Sequence, residues 1–171
     1  NFNRSNKFIV LTIEKALNDA GIDLDEYDGN RTGMSWGAIY SEREVLEEDL
    51  SSMKNDGRMS LRHLTSTAPG GRLNSLVPFN IGGPAFIHTT ACSASCQSIG
   101  QAKRTIEDGR ADVMIAGGSS PIIHYSLPLS FEKIRAYSSD TSIPPENRIR
   151  PFGEKRSGIA YGEGFGVLLL E

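Results

Sequence analysis

The sequence predicts an α/β fold, layered α/β/α, and three observations carry that prediction. A strand, a helix and a second strand follow one another over residues 85–118. An amphipathic helix and a further short strand precede them, over 5–20 and 31–39. A strongly β-forming run, "GVLLLE", closes the chain. Two strands joined by a helix run parallel through a right-handed crossover. Parallel strands are buried by helices on both faces, which favours layers over a sandwich.

Taken in order, "SNKFIVLTIEKALNDA" (5–20) sets Ile9, Ile13, Ala16, Leu17 and Ala20 on one helical face, and Gly21 follows where a left-handed stop belongs. "RTGMSWGAI" (31–39) reads as a short strand of small residues. "SEREVLEEDL" (41–50) reads as a helix whose Glu42, Glu44, Glu47, Glu48 and Asp49 form a solvated acidic face rather than a metal site. Regular signal is weak over 51–83, where "APGG" and "IGGP" mark turns. "AFIHTTA" (85–91) is strand-like, 95–108 is helical with Ile99, Ala102 and Ile106 along one stripe, and "ADVMIAGG" (111–118) is a short buried strand ending in two glycines. Residues 137–151, with Pro144, Pro145 and Pro151, predict an extended loop. The glycines of "YGEGFG" precede a strand and lack the G-x-G-x-x-G spacing, so they read as tight turns and not as a dinucleotide loop.

With 171 residues, 38% of them hydrophobic, the chain has material for one ordinary core, expected as one unit over 1–171. A formal net charge of -3 gives no electrostatic case for nucleic acid or an anionic membrane. Cys92 and Cys96 are too few for a disulfide framework, which points to a reducing, cytoplasmic setting. With His63, His88 and His124 scattered, no zinc spacing is present. No apolar run is long enough for a membrane helix, and no signal peptide is visible. The start at Asn1 and the stop directly after "VLLLE" read as marks of a fragment.

In sheets of this kind, sites form at the carboxyl ends of strands, where the next helix begins. Cys92 is expected at such a junction, with the strand ending near Ala91 and the helix starting near Ser95. Unpaired N–H groups and the positive end of a helix dipole favour thiolate over thiol, and the same N–H groups can stabilise an oxyanion. Small neighbours, Ala91, Ser93, Ala94 and Ser95, let a substrate approach. The competing reading is a buried packing thiol, since cysteine is among the most often buried residues. On the residues alone both readings stand. Cys96, four residues into the helix, reads as a small core side chain. His88 lies about 13 Å from Cys92 along an extended strand, beyond hydrogen-bond reach, and reads as a strand residue with a local partner. His63 and His124 read as structural.

"TTACSASCQSIGQA" resembles the active-site segment of β-ketoacyl-acyl carrier protein synthases, in which a cysteine in a T-A-C-small-small setting accepts the acyl chain. "GRADVMIAGGSS" is similar to that family's strand ending in A-G-G, and "RIRPFGEKRSGIAYGEGFGVLLLE" to its R-P-F-D-x-x-R-D-G-F-x-x-G-E-G-A-G-V-L-V-L-E stretch. "ALNDAGID", "RTGMSWG" and "FEKIRAYSSD" fall in the family's order as well. The resemblance implies a thiolase-like fold of two similar α/β halves, usually dimeric, of which residues 1–171 are most of the N-terminal half, without its first strand.

It further implies that Cys92 takes an acyl group from a carrier-protein phosphopantetheine thioester, with no cofactor of its own, and passes it to a carbanion from a decarboxylating malonyl-carrier thioester. Acyl carrier protein is then a partner, alongside a second copy or a related synthase subunit, in fatty acid or polyketide synthesis. The family's two carbanion-stabilising histidines belong to its second half, so these residues alone are expected not to condense anything. A non-catalytic chain-length subunit is one alternative, although such subunits have lost the cysteine. A thiolase-like enzyme using CoA substrates is another. Two carboxylates of the family pattern are replaced by Gly153 and Ser157, and those carboxylates read as loop-organising acceptors. Tyr40 stands where the family tends to glycine and is expected to limit acyl-chain length if it falls near the acyl pocket.

Overall fold

The computed structural model describes residues 4–38, 50–55, 57, 73, 76, 78–121, 126–138 and 140–171. It divides into two compact units, Asn1–Pro121 with Gly164–Glu171, and Ile122–Glu163. The acidic face read over 42–49 lies outside the described residues.

In the first unit, α1 (Arg4–Ala20) is followed by β1 (Thr32–Ala38), β2 (Ala85–His88), α2 (Ala94–Glu107), β3 (Val113–Ser120) and β4 (Gly164–Leu170). The four strands form one sheet in the order β2-β1-β3-β4. β1 runs parallel to both β2 and β3, so the crossover predicted from the strand-helix-strand pattern is present. β4 pairs antiparallel to β3, with Gly166 opposite Gly118. The "AFIHTTA" strand is shorter than its sequence suggests and ends at His88. Gly21 ends α1 with φ 67°, the left-handed stop its sequence predicts.

Alternation along the strands assigns each side chain to a face. Met34, Trp36 and Ala38 of β1 and Val113 and Ile115 of β3 form one core cluster with Ile9 and Ile13 of α1. Met114 and Ala116 point the other way and pack with Ala102 of α2. The sheet therefore carries a helix on each face, as its parallel strands require. α2 rests on the sheet along Ala94, Ser98, Ala102 and Thr105. Ile99 and Ile106, expected on that stripe, flank it half-buried. A bidentate pair anchors the amino end of the sheet: Arg31 Nε donates to Asp112 Oδ2 at 2.6 Å and Arg31 Nη2 to Oδ1 at 2.5 Å. Among the described residues no helix is long and apolar enough to cross a membrane.

In the second unit, α3 (Ser126–Lys133) leads to Tyr137, which bridges to Ile159. Phe131 meets Tyr161 edge to face, with ring centroids 4.9 Å apart. Among the described residues of 137–151 there is no strand beyond that bridge and one short 3-10 turn, at Pro145–Asn147, consistent with the loop their prolines predict.

Candidate active site

β2 delivers the chain to the carboxyl edge of the sheet at His88, and Thr89 and Thr90 lead into a single 3-10 turn, Ala91–Ser93, directly ahead of α2. Cys92 is the middle residue of that turn and is exposed. The residue before it, Ala91, has φ 52°, a conformation that costs a non-glycine residue about 1–2 kcal/mol. The Ser93 hydroxyl closes the turn by donating to the Thr90 carbonyl at 2.8 Å. The bend lifts Cys92 clear of the strand, so the exposed thiol departs from the packing alternative.

Packing of α2 onto two glycines sustains this strain. A Cβ on Gly37 would stand 2.5 Å from the backbone of Ala94 and Ser95, and one on Gly118 would overlap the Ser95 side chain. Gly37 and Gly118 are register partners on adjacent strands. The absence of both side chains lets the first turn of α2 settle onto the ends of β1 and β3. One turn further on, the buried Ser98 hydroxyl donates to the Gly117 carbonyl at 2.7 Å.

The result is a cavity of about 120 Å³ lined by Cys92 and Ala91, by Ala94 and Ser95, and by the strand ends, Ser119 and Ser120 among them. Ser119 is 6% exposed, and its Oγ accepts the indole N–H of the fully buried Trp36 at 3.0 Å. Sequence reasoning missed Gly37, Gly118 and Ser119 as parts of the site. The two glycines at the end of "MIAGG" and the single one in "SWG" were the available signal.

His88 behaves as its position predicts. Its Nε2 lies 3.0 Å from the Oγ of the buried Ser35, a local partner on β1. Burial, and secondarily the charge of Arg104, push its imidazole below the ordinary histidine value. Cys96 corrects the sequence reading. It is exposed and not a core side chain, because α2 turns its Ala94–Ser98–Ala102 stripe to the sheet and position 96 falls on the other side. His63, His124 and Tyr40 lie outside the described residues.

Within the second unit, Arg135, Arg150 and Arg156 line a groove of about 590 Å³ together with Ile149, Pro151 and Ile159. Sequence reasoning did not single out these three guanidiniums, which are scattered over 22 positions of a loop-rich segment. In the same unit Ser157 shares a 2.6 Å hydrogen bond with the buried Ser138.

Three comparisons bear on this site. The profile of the family described as "Beta-ketoacyl synthase, N-terminal domain" matches residues 2–171. Nodulation protein E of Rhizobium leguminosarum bv. trifolii is 32% identical over 167 residues, 95% of this chain and 39% of that protein. A β-ketoacyl synthase from Burkholderia phymatum STM815 superposes with a TM-score of 0.84 at 27% identity, covering 98% of this chain and 41% of that one. A type II polyketide ketosynthase, solved with its acyl-carrier protein and a hexaketide, gives a TM-score of 0.88 over 99% of this chain and 44% of that one, at 24% identity, a likeness of fold. The chain thus spans about two fifths of the length of the relatives it matches.

Proposed function

The chain belongs to the β-ketoacyl synthase family, and from that premise we propose that Cys92 is the acyl acceptor of a decarboxylative condensing enzyme in fatty acid or polyketide synthesis. The observation that carries the proposal is the exposed Cys92 in a strained turn between β2 and α2, opening on a cavity at the carboxyl edge of the sheet.

In the first stage, the Cys92 sulfur attacks the carbonyl carbon of an acyl thioester held on a carrier protein's phosphopantetheine. A new C–S bond forms and the carrier thiol leaves with its proton. The oxyanion that develops meets the backbone N–H of Cys92, at the amino end of α2. In the second stage a malonyl-carrier thioester loses carbon dioxide, and the carbanion left behind attacks the acyl carbon on Cys92. A C–C bond forms, the sulfur leaves, and the product is a 3-ketoacyl thioester two carbons longer.

No bound cofactor is needed, because the carrier supplies the reactive thioester. The arginine groove supports a carrier protein as partner, since guanidiniums recognise phosphate and carboxylate groups. We assign the whole protein to the cytoplasm, as one subunit of a dimer with itself or a related synthase. Residues 1–171 form a partial N-terminal domain in this reading. They lack the carbanion-stabilising histidines expected from the family and do not condense substrates alone. The test is product formation: full-length protein given an acyl-carrier and a malonyl-carrier thioester releases carbon dioxide and a 3-ketoacyl product, and Cys92→Ala abolishes both. Full-length protein that yields neither contradicts the proposal.

A further inference from the structure

Ala91, directly before Cys92, sits at φ 52°, and a non-glycine residue stays in that region only where the structure on both sides of it leaves no alternative. On the helix side the hold is the first turn of α2, seated on Gly37 and Gly118. From Thr89 to Cys92 the chain is exposed, and among the described residues none of these side chains is hydrogen-bonded, so the bend has to be held from the strand side as well. His88 is the last residue of β2 and the last before the bend whose side chain is tied to the sheet. Its register partner is Gly37, and alternation puts both, with Ser35, on the α2 face, since Met34 and Trp36 face α1. The charge of Arg104, on α2, reaches the imidazole from that same face. The ring spans to the neighbouring strand, with Nε2 3.0 Å from Ser35 Oγ. Ser35 is fully buried in the middle of β1, a strand paired on both sides, so the far end of this hydrogen bond is fixed.

We propose that His88 is a positioning residue for acyl transfer: its hydrogen bond to Ser35 is the strand-side clamp that, with the seating of α2 on Gly37 and Gly118, holds the strained bend at Ala91 and so fixes the position of Cys92. The inference rests on the acyl-acceptor reading of Cys92. Neither His88 nor Ser35 touches the substrate, and neither changes the bonds made and broken. With the clamp released, Ala91 relaxes out of the left-handed region and the thiol is no longer held at one place on the cavity rim. The effect is on the fraction of Cys92 aligned for attack on the acyl carbon. What the clamp requires is a polar atom that reaches the Ser35 hydroxyl, and not an imidazole as such.

The test measures acylation of Cys92 by an acyl thioester, followed by intact mass, in full-length protein carrying Cys96→Ala, which removes the second exposed thiol. His88→Leu slows acylation by about three- to tenfold, the range of one neutral hydrogen bond. His88→Gln, whose amide reaches the same hydroxyl, restores most of the rate. Ser35→Ala removes the hydrogen bond from its other end without altering β2 and slows acylation to the same extent. The double variant His88→Leu/Ser35→Ala is no slower than either single one, because both remove one interaction. Acylation at the parent rate in either His88→Leu or Ser35→Ala overturns the inference. So does an equal loss in His88→Gln and His88→Leu, which marks packing of the ring as the cause, and so do losses that multiply in the double variant. If the parent protein is not acylated at Cys92 at all, the acyl-acceptor reading fails and this inference falls with it.

Discussion

The side chain of Ser95, in the first turn of α2, occupies the space that a Cβ on Gly118 of β3 would need. This contact seats the helix that presents Cys92. Gly118→Ala is therefore expected to push the start of α2 off the sheet, destabilising the full-length protein by about 1–3 kcal/mol and slowing acylation of Cys92 as well. Chemical denaturation and acylation rates measured on one preparation check both effects. An unchanged denaturation midpoint would contradict the packing argument.

The Ser98 hydroxyl donates to the Gly117 carbonyl inside the same interface. Ser98→Ala leaves that buried carbonyl short of a partner and is expected to cost about 1–3 kcal/mol. Because position 98 faces the sheet and not the cavity, the loss should appear in the unfolding free energy more than in the acylation rate.

Asp112 and His88 each give stability a dependence on pH, and both lose it towards acid. The Arg31 guanidinium, hydrogen-bonded to Asp112, holds that carboxyl below its ordinary value of 3.8, so its contribution is complete above 3.8 and disappears as pH falls through the lowered value. His88 is held below 6.5 by burial and then by Arg104, so the unfolded chain takes up its proton first on acidification. Stability from His88 is complete above 6.5 and is lost as pH falls below it. Unfolding midpoints of wild type and His88→Gln, measured from pH 8 downward, should converge between 6.5 and the lowered value, and parallel curves would contradict this.

The groove holding Arg135, Arg150 and Arg156 is proposed to receive the carrier. Arg135→Glu is expected to raise KM for a carrier-bound acyl thioester by about tenfold or more, through loss of one charge contact and introduction of a repulsive one. Rates with a small acyl thioester that has no carrier should not change. A loss of equal size with both substrates would argue for damage to the fold.

Much of the fold was legible in the residues because it follows from periodicity. Ile9 and Ile13 recur at helical spacing and are fully buried, and the strand-helix-strand run around Cys92 dictates parallel strands. The antiparallel direction of β4 was not legible, since "GFGVLLL" pairs equally well either way and its partner is 44 or more positions away in sequence. Position 92 could be placed at a strand-helix junction from local signals. The identity of what surrounds it could not, because Gly37, Gly118 and Ser119 reach the site through sheet register, and register is a property of the assembled sheet. Cys96 was misread because its depth in the helix does not say which side it occupies: α2 turns Ala94, Ser98 and Ala102 to the sheet, and position 96 falls on the other side.

The most direct measurement of the central claim is the intact mass of full-length protein after exposure to an acyl-carrier thioester, with the modified residue located by peptide mapping. One acyl group is expected on Cys92, present in the parent protein and in Cys96→Ala and absent from Cys92→Ala. An adduct that survives Cys92→Ala, or no adduct in the parent protein, would contradict the assignment of Cys92 as the acyl acceptor.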